Sequence, residues 1–152
     1  MVKNSCAGSG SMTLKISDVF VGQELPALDL AFTRADLVAY ANASGDQNPI
    51  HQNEEFAKSV GLPDVIAHGM LTMGRAIRVV TDWVGDPTAI IDYSVRMTRP
   101  VVVPDTSEGS IVSFTGKVSQ INDDGTVQVE LGAVFGDVKV LGLARATVRI
   151  AQ

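Results

Sequence analysis

Cysteine is nearly missing from this chain, with one, Cys6, among 152 residues. A single thiol cannot form an intrachain disulfide framework or a cysteine-cluster zinc site. A run of Lys and Arg is missing too: 12 basic residues face 17 acidic ones, for a net charge of -5. That balance lacks the phosphate-tracking footprint of a nucleic-acid-binding protein. No apolar stretch approaches the roughly 18 residues that a membrane-spanning helix needs. A glycine-rich dinucleotide fingerprint and a P-loop are also absent. Charged residues make up 19% of the chain, too few for disorder, while apolar residues make up 45%, enough for one large core. The length suits one domain. Together these features describe an acidic, soluble, cytoplasmic single domain.

Residues 1–11 (MVKNSCAGSGS) are small, polar and rich in glycine and serine, and a second methionine follows at Met12. They lack the apolar middle of a signal peptide. They read as an expression leader or a disordered tail, with the folded domain over residues 12–152. Cys6 falls in that leader, so a cysteine nucleophile is not expected.

Ala27 to Phe32 alternates as a short strand, and Thr33 is a good N-cap for a helix from Arg34 to Ala43 that buries Leu37, Tyr40 and Ala41. Gly45 stops that helix. The stretch Asp46 to Ile50 cannot continue it, because Pro49 pushes Asn48 out of the helical region. A short helix is expected over Asn53 to Ser59, closed by Gly61. From Gly69 to Val84 the polar residues Arg75, Arg78 and Asp82 form one narrow stripe, and the rest of the circumference is apolar. A helix of that kind is expected to be long, central and wrapped by other structure.

Period-two alternation follows over Ile91 to Thr98, Val112 to Val118 and Val127 to Leu131. A long last strand then carries Val138, Val140, Ala144, Ala146, Val148 and Ile150 on one face. Asp124-Gly125 and Gly136-Asp137 mark turns between strands, so the pattern predicts an antiparallel meander. One buried helix followed by antiparallel strands is an α+β arrangement in which the sheet wraps the helix.

The chemistry-bearing residues precede the sheet. Asp46 and His51 stand five residues apart across a proline-restrained loop, a spacing that lets a carboxylate and an imidazole converge on one water. The same spacing also fits a plainer reading, in which Asp46 caps the following turn and His51 is a solvated loop residue. His68-Gly69 opens the apolar helix, where a backbone N–H at the positive helix end can polarise a carbonyl. Equally, Gly69 can serve only as a tight entry to the helix. Zinc held by Asp46, His51 and His68 is conceivable, but no other residue pattern supports a metal, and His68 reads as structural.

The run Tyr40-Ala-x-x-Ser-Gly-Asp-x-Asn-Pro-Ile-His51, followed by Ala67-His-Gly-Met70, resembles the MaoC-like hydratase family of the hot-dog fold. The segment Gly45 to Pro87, with Ala67-His-Gly-Met-Leu-Thr-Met-Gly74 and Trp83-Val-Gly-Asp-Pro87, is similar to actinobacterial (3R)-hydroxyacyl-ACP dehydratases, in the subunit that carries their catalytic pair. The resemblance implies a single hot-dog domain, with Asp46 and His51 as the catalytic pair and the Gly69 N–H as oxyanion donor. Asn48 and Pro49 would shape the loop. It implies reversible hydration of trans-2-enoyl thioesters, or dehydration of (3R)-hydroxyacyl thioesters, in fatty-acid metabolism. The acyl group would ride on coenzyme A or acyl carrier protein, with no metal and no cofactor. It also implies a homodimer with the pocket near the subunit interface, or a heterodimer with another hot-dog chain. A hot-dog acyl thioesterase is the rival reading on the same fold. Met97-Thr98-Arg99-Pro100-Val101 and Pro104-Asp105 depart from the family's Phe-x-x-Pro-Val and Gly-Asp, which leaves the substrate's shape open.

Overall fold

A computed structural model describes residues 13–152, so the expected leader lies outside the described residues. Strand β1 spans Glu24–Phe32 and runs straight into helix α1, Arg34–Ser44. The sequence cue at Thr33 is realised as a reciprocal capping box: its hydroxyl accepts from the Asp36 N–H, and the Asp36 carboxylate accepts from the Thr33 N–H. Gly45, in the left-handed region at φ 80, closes the helix as read. Helix α2, Glu54–Ser59, starts where the Asn53 side chain accepts from the Phe56 N–H.

The single helix expected over Gly69 to Val84 is two: α3, Gly69–Ala76, and α4, Arg78–Val84, joined at Ile77. The Ile77 carbonyl accepts from both Val80 and Thr81, which tightens the turn. Four of the five residues from Ile77 to Thr81 are β-branched, and such side chains fit the preceding turn of a helix poorly. Burial differs from expectation as well. Thr72, Ala76, Val79 and Val80 are buried, whereas Met70 is 62% exposed and Leu71, Met73, Ile77 and Trp83 are half-buried. The buried stripe packs on the sheet closely, and a Cβ at Gly116 of β3 would stand 2.9 Å from the Val79 Cγ1.

The described residues form a six-stranded antiparallel sheet. Its strands are β1, β2 (Ile90–Met97), β3 (Ser110–Ile121), β4 (Thr126–Phe135), β5 (Val138–Lys139) and β6 (Leu141–Arg149), in the order β1-β3-β4-β6-β2, with β5 on β4. The expected meander therefore holds for β3, β4 and β6 but not for β2, which pairs β6 at the far edge. The reason is the connection from Thr98 to Gly109, which crosses the structure and pairs with the residues ahead of α3. There the Ala67 N–H donates to Val101 O and the Val103 N–H donates to Val65 O, both at 2.8 Å.

The long last strand is likewise broken. Val138 is 46% exposed; Val140 and Leu141 are both buried; and Leu143 turns out to solvent with φ 47 before Ala144 returns to the core. A bulge there reverses the parity of the buried face, and the β2–β6 register shifts between Ser94 and Arg96. The core lies between the sheet and the helices and includes Phe32, Leu37, Val80, Phe114, Val129 and Val148.

Candidate active site

The loop after α1 is made of consecutive side-chain caps. The Asp46 carboxylate accepts from the Asn48 N–H, and the Asn48 side chain accepts from the Ile50 N–H, each at 3.2 Å. Pro49 begins the one-turn 3₁₀ helix Pro49–His51, a position where its missing N–H is no loss. That turn delivers His51 inward, 7% exposed, so it is not a solvated loop residue. The Ile66 N–H donates to Ile50 O, and Ile66 O receives His51 Nδ1 at 2.7 Å. A carbonyl only accepts, so Nδ1 carries the hydrogen and the neutral ring keeps its lone pair on Nε2.

His68 is 1% exposed and stacks on His51 with ring centroids 3.8 Å apart at 27°. Tyr40 packs against it at 4.7 Å. The His68 Nε2–H donates to the backbone carbonyl of Asp46 at 3.2 Å, while its buried Nδ1 has no partner among the described residues. A buried polar atom left without a partner costs about 1–3 kcal/mol. Burial pushes the His68 imidazole below its usual range, outweighing the Asp46 carbonyl that favours the charged form, and the nearby His51 adds to the lowering.

Gly69 heads α3. It is not among the glycines with positive φ, so its backbone does not demand glycine. What a side chain would alter is the space in front: a Cβ there would touch the Met97 side chain at 3.4 Å. His51, Gly69, Thr72, Met97, Arg99 and Leu141 are among the residues lining one cleft of about 370 Å³.

The structure thus brings His51 and Gly69 to one cleft and sets Asp46 alongside, with ligand-type atoms of Asp46, His51 and His68 all within 4.8 Å of one another. Asp46, Asn48 and Pro49 are not part of the cleft wall, and Asp46 is exposed. Both sequence readings of Asp46 coexist, since it caps the turn and also adjoins the imidazoles. Metal ligation fits the trio badly. Imidazole lone pairs lie in the ring plane, and two stacked rings cannot both aim at one ion at about 2 Å.

Sequence reasoning took His68 as structural and did not pair it with His51. Its place immediately before Gly69 was the available signal. Among the arginines considered for phosphates, Arg34 pairs with Asp64 at 2.7 Å, Arg75 with Asp36 at 3.3 Å and Arg78 with Asp82 at 3.5 Å. Arg96 and Arg99 are exposed and make no ion pair among the described residues.

The MaoC like domain model matches residues 18–134, and the chain belongs to that family. The α+β sheet and its helices are the hot-dog domain of this family. One relative, 3-hydroxyacyl-thioester dehydratase X of Mycobacterium tuberculosis, is 42% identical over 82 residues, covering 54% of this chain and 28% of its own length. The (R)-specific enoyl-CoA hydratase of Rhodospirillum rubrum is 33% identical over 104 residues, covering 68% of this chain and 71% of the relative. A solved structure titled MaoC-like dehydratase superposes with a TM-score of 0.88 at 44% identity, over 91% of this chain and 43% of that one. This chain therefore spans under half the length of that solved relative and about a quarter of the dehydratase. Among the described residues no helix is long and apolar enough to cross a membrane.

Proposed function

We propose that this domain is a hydro-lyase that adds water reversibly to trans-2-enoyl thioesters, forming (3R)-hydroxyacyl thioesters. The observation that carries the reading is the shared cleft: His51, with Nε2 free as a base, and the N-terminus of α3 at Gly69 line the same cavity. As water attacks the third carbon, His51 Nε2 accepts its proton, with the Asp46 carboxylate alongside to stabilise the cation. Negative charge moves to the thioester oxygen, where the Gly69 N–H and the positive end of α3 stabilise the enolate. The same pair returns a proton to the second carbon, so the net change is H and OH across the double bond. Dehydration is the reverse. Asn48 and Pro49 hold the loop, and no step calls for a metal or a redox cofactor.

The acyl carrier is coenzyme A or carrier protein, and the exposed Arg99 on the cleft wall is suited to meet its phosphate. A cytoplasmic setting belongs to the same proposal, supported by a chain whose one cysteine leaves no disulfide to form within it. So does a partner, either a second copy or another hot-dog chain. The β1 and β2 edges are unpaired among the described residues, Met70 and Met97 are exposed, and the similar solved chain has more than twice this length. Light scattering at micromolar concentration should show a dimer.

The test is turnover of short and long trans-2-enoyl-CoA, followed by enoyl absorbance with product chirality determined. Asp46→Asn and His51→Ala should each lower kcat on the order of 100-fold while the protein stays folded. Near-parental turnover in either variant removes the assignment. Release of free thiol in place of enoyl loss would point to the thioesterase. Activity that appears only with another hot-dog chain would point to the heterodimer.

A further inference from the structure

We infer that His68 is a positioning residue for His51, its ring and its Nε2–H holding the Asp46–His51 loop in one arrangement relative to Gly69. The inference rests on the hydro-lyase reading above and adds a residue to it. His51 is held by one side-chain hydrogen bond, to Ile66 O, and a single bond leaves its ring free to swing about that contact. Stacking on His68 at 3.8 Å and 27° removes the swing. His68 is itself held by Tyr40 at 4.7 Å, and its carbonyl accepts from the Thr72 N–H and the Thr72 hydroxyl at 3.1 and 3.3 Å.

From that anchored place the Nε2–H reaches back to the Asp46 carbonyl at 3.2 Å, and the next residue along the chain is Gly69. One side chain therefore touches the base, the backbone of the carboxylate and the start of the oxyanion helix. A phenylalanine would stack equally well and would leave no buried acceptor without a partner; what the imidazole adds is the Nε2–H donor. Burial keeps the ring neutral, so it does not oppose a positive charge arriving on His51 when that base takes a proton.

Three substitutions separate the two contacts. His68→Phe keeps a stacking ring and loses the donor; His68→Gln keeps a donor of similar reach and loses the ring; His68→Ala loses both. The first two should each lower kcat about 10-fold with KM within about twofold, and His68→Ala should lower it further. Because His68 acts through His51, His68→Phe should add no further loss in a His51→Ala background, as coupled sites behave. Thermal melts of each variant identify any that fail to fold. Independently of turnover, nitrogen-15 NMR of the His51 ring should show Nδ1 protonated and Nε2 bare in the parent, and an average of the two tautomers in His68→Ala. Parental kcat in both the Phe and Gln variants, or a full multiplicative loss in the double variant, overturns the inference. If the parent hydrates no enoyl thioester, the hydro-lyase reading fails by itself. The NMR then decides alone, and an unchanged His51 tautomer in His68→Ala overturns the positioning role.

Discussion

The segment from Gly45 to Gly69 and the β3–β4 pair are held together in opposite ways. In β3 and β4, alternate residues such as Val112, Phe114, Val118, Val127 and Val129 enter the core, and long antiparallel pairing does the rest. The 45–69 segment buries little apart from Ala57, Val65, Ala67 and the two histidines, and its shape comes from Asp46, Asn48 and Asn53 side chains bonded to nearby backbone N–H groups. Non-local apolar packing supplies most of the stability; short-range polar bonds supply most of the geometry. The residues proposed for chemistry all come from the second kind of structure, set against the first.

The sharpest way to break this contrast is to damage each region and read both stability and turnover. Phe114→Ala in β3 should lower stability by about 3–5 kcal/mol, as truncation of a buried aromatic does. Turnover per folded molecule should stay near the parent, measured by chemical denaturation beside the enoyl assay. Gly69→Val should do the reverse. Its backbone tolerates a side chain, yet the new atoms enter the cleft against Met97, and misplacing a reacting group costs on the order of 100-fold in rate. The melting temperature should move little. A folded Gly69→Val protein as fast as the parent would remove the oxyanion role.

Gly74→Ala, one turn along the same helix in open space, should raise stability by about 0.5–1 kcal/mol through helix propensity and leave turnover alone. The smallest effect concerns pH. His68 is held below the 6.5 of a free imidazole by burial, so below that pH the unfolded chain takes up a proton that the folded one refuses. Stability from this source is therefore full above about 6.5 and falls as the pH drops below it. His68→Phe should flatten that acid slope in thermal melts at pH 7.5 through about 5.5.

Much of the fold was legible because its signals are local. The Thr33 cap, the Gly45 stop and the alternation in β3 and β4 each determine what happens within a few residues. The errors fall where a distant contact intervenes. Alternation in Ile91 to Thr98 identifies a strand but says nothing of its neighbour, and the crossover at 98–109 sends β2 to β6. The bulge at Leu143 reverses a face that the period of two alone would continue. The apolar girth of 69–84 led to one fully buried helix, whereas β-branched crowding at Ile77 divides it and part of its surface stays open. At the site, Asp46, His51 and Gly69 could be named from spacing and resemblance. The stack of His68 on His51 could not, because nothing in the chain between them encodes a ring-to-ring distance.

The backbone ties of Ala67 to Val101 and of Val65 to Val103 have a consequence for the order of assembly. They join segments separated in the chain by α3, α4 and β2, whereas β3 and β4 meet across a short turn. Loop-closure entropy favours the short turn first, and segments joined late and buried little are those that open most readily from the native state. The cleft wall is thus put in place after the hairpin that supports it. In amide hydrogen exchange the wall should open while β3 and β4 remain closed, so that a molecule can lose its cleft for a time without losing its sheet.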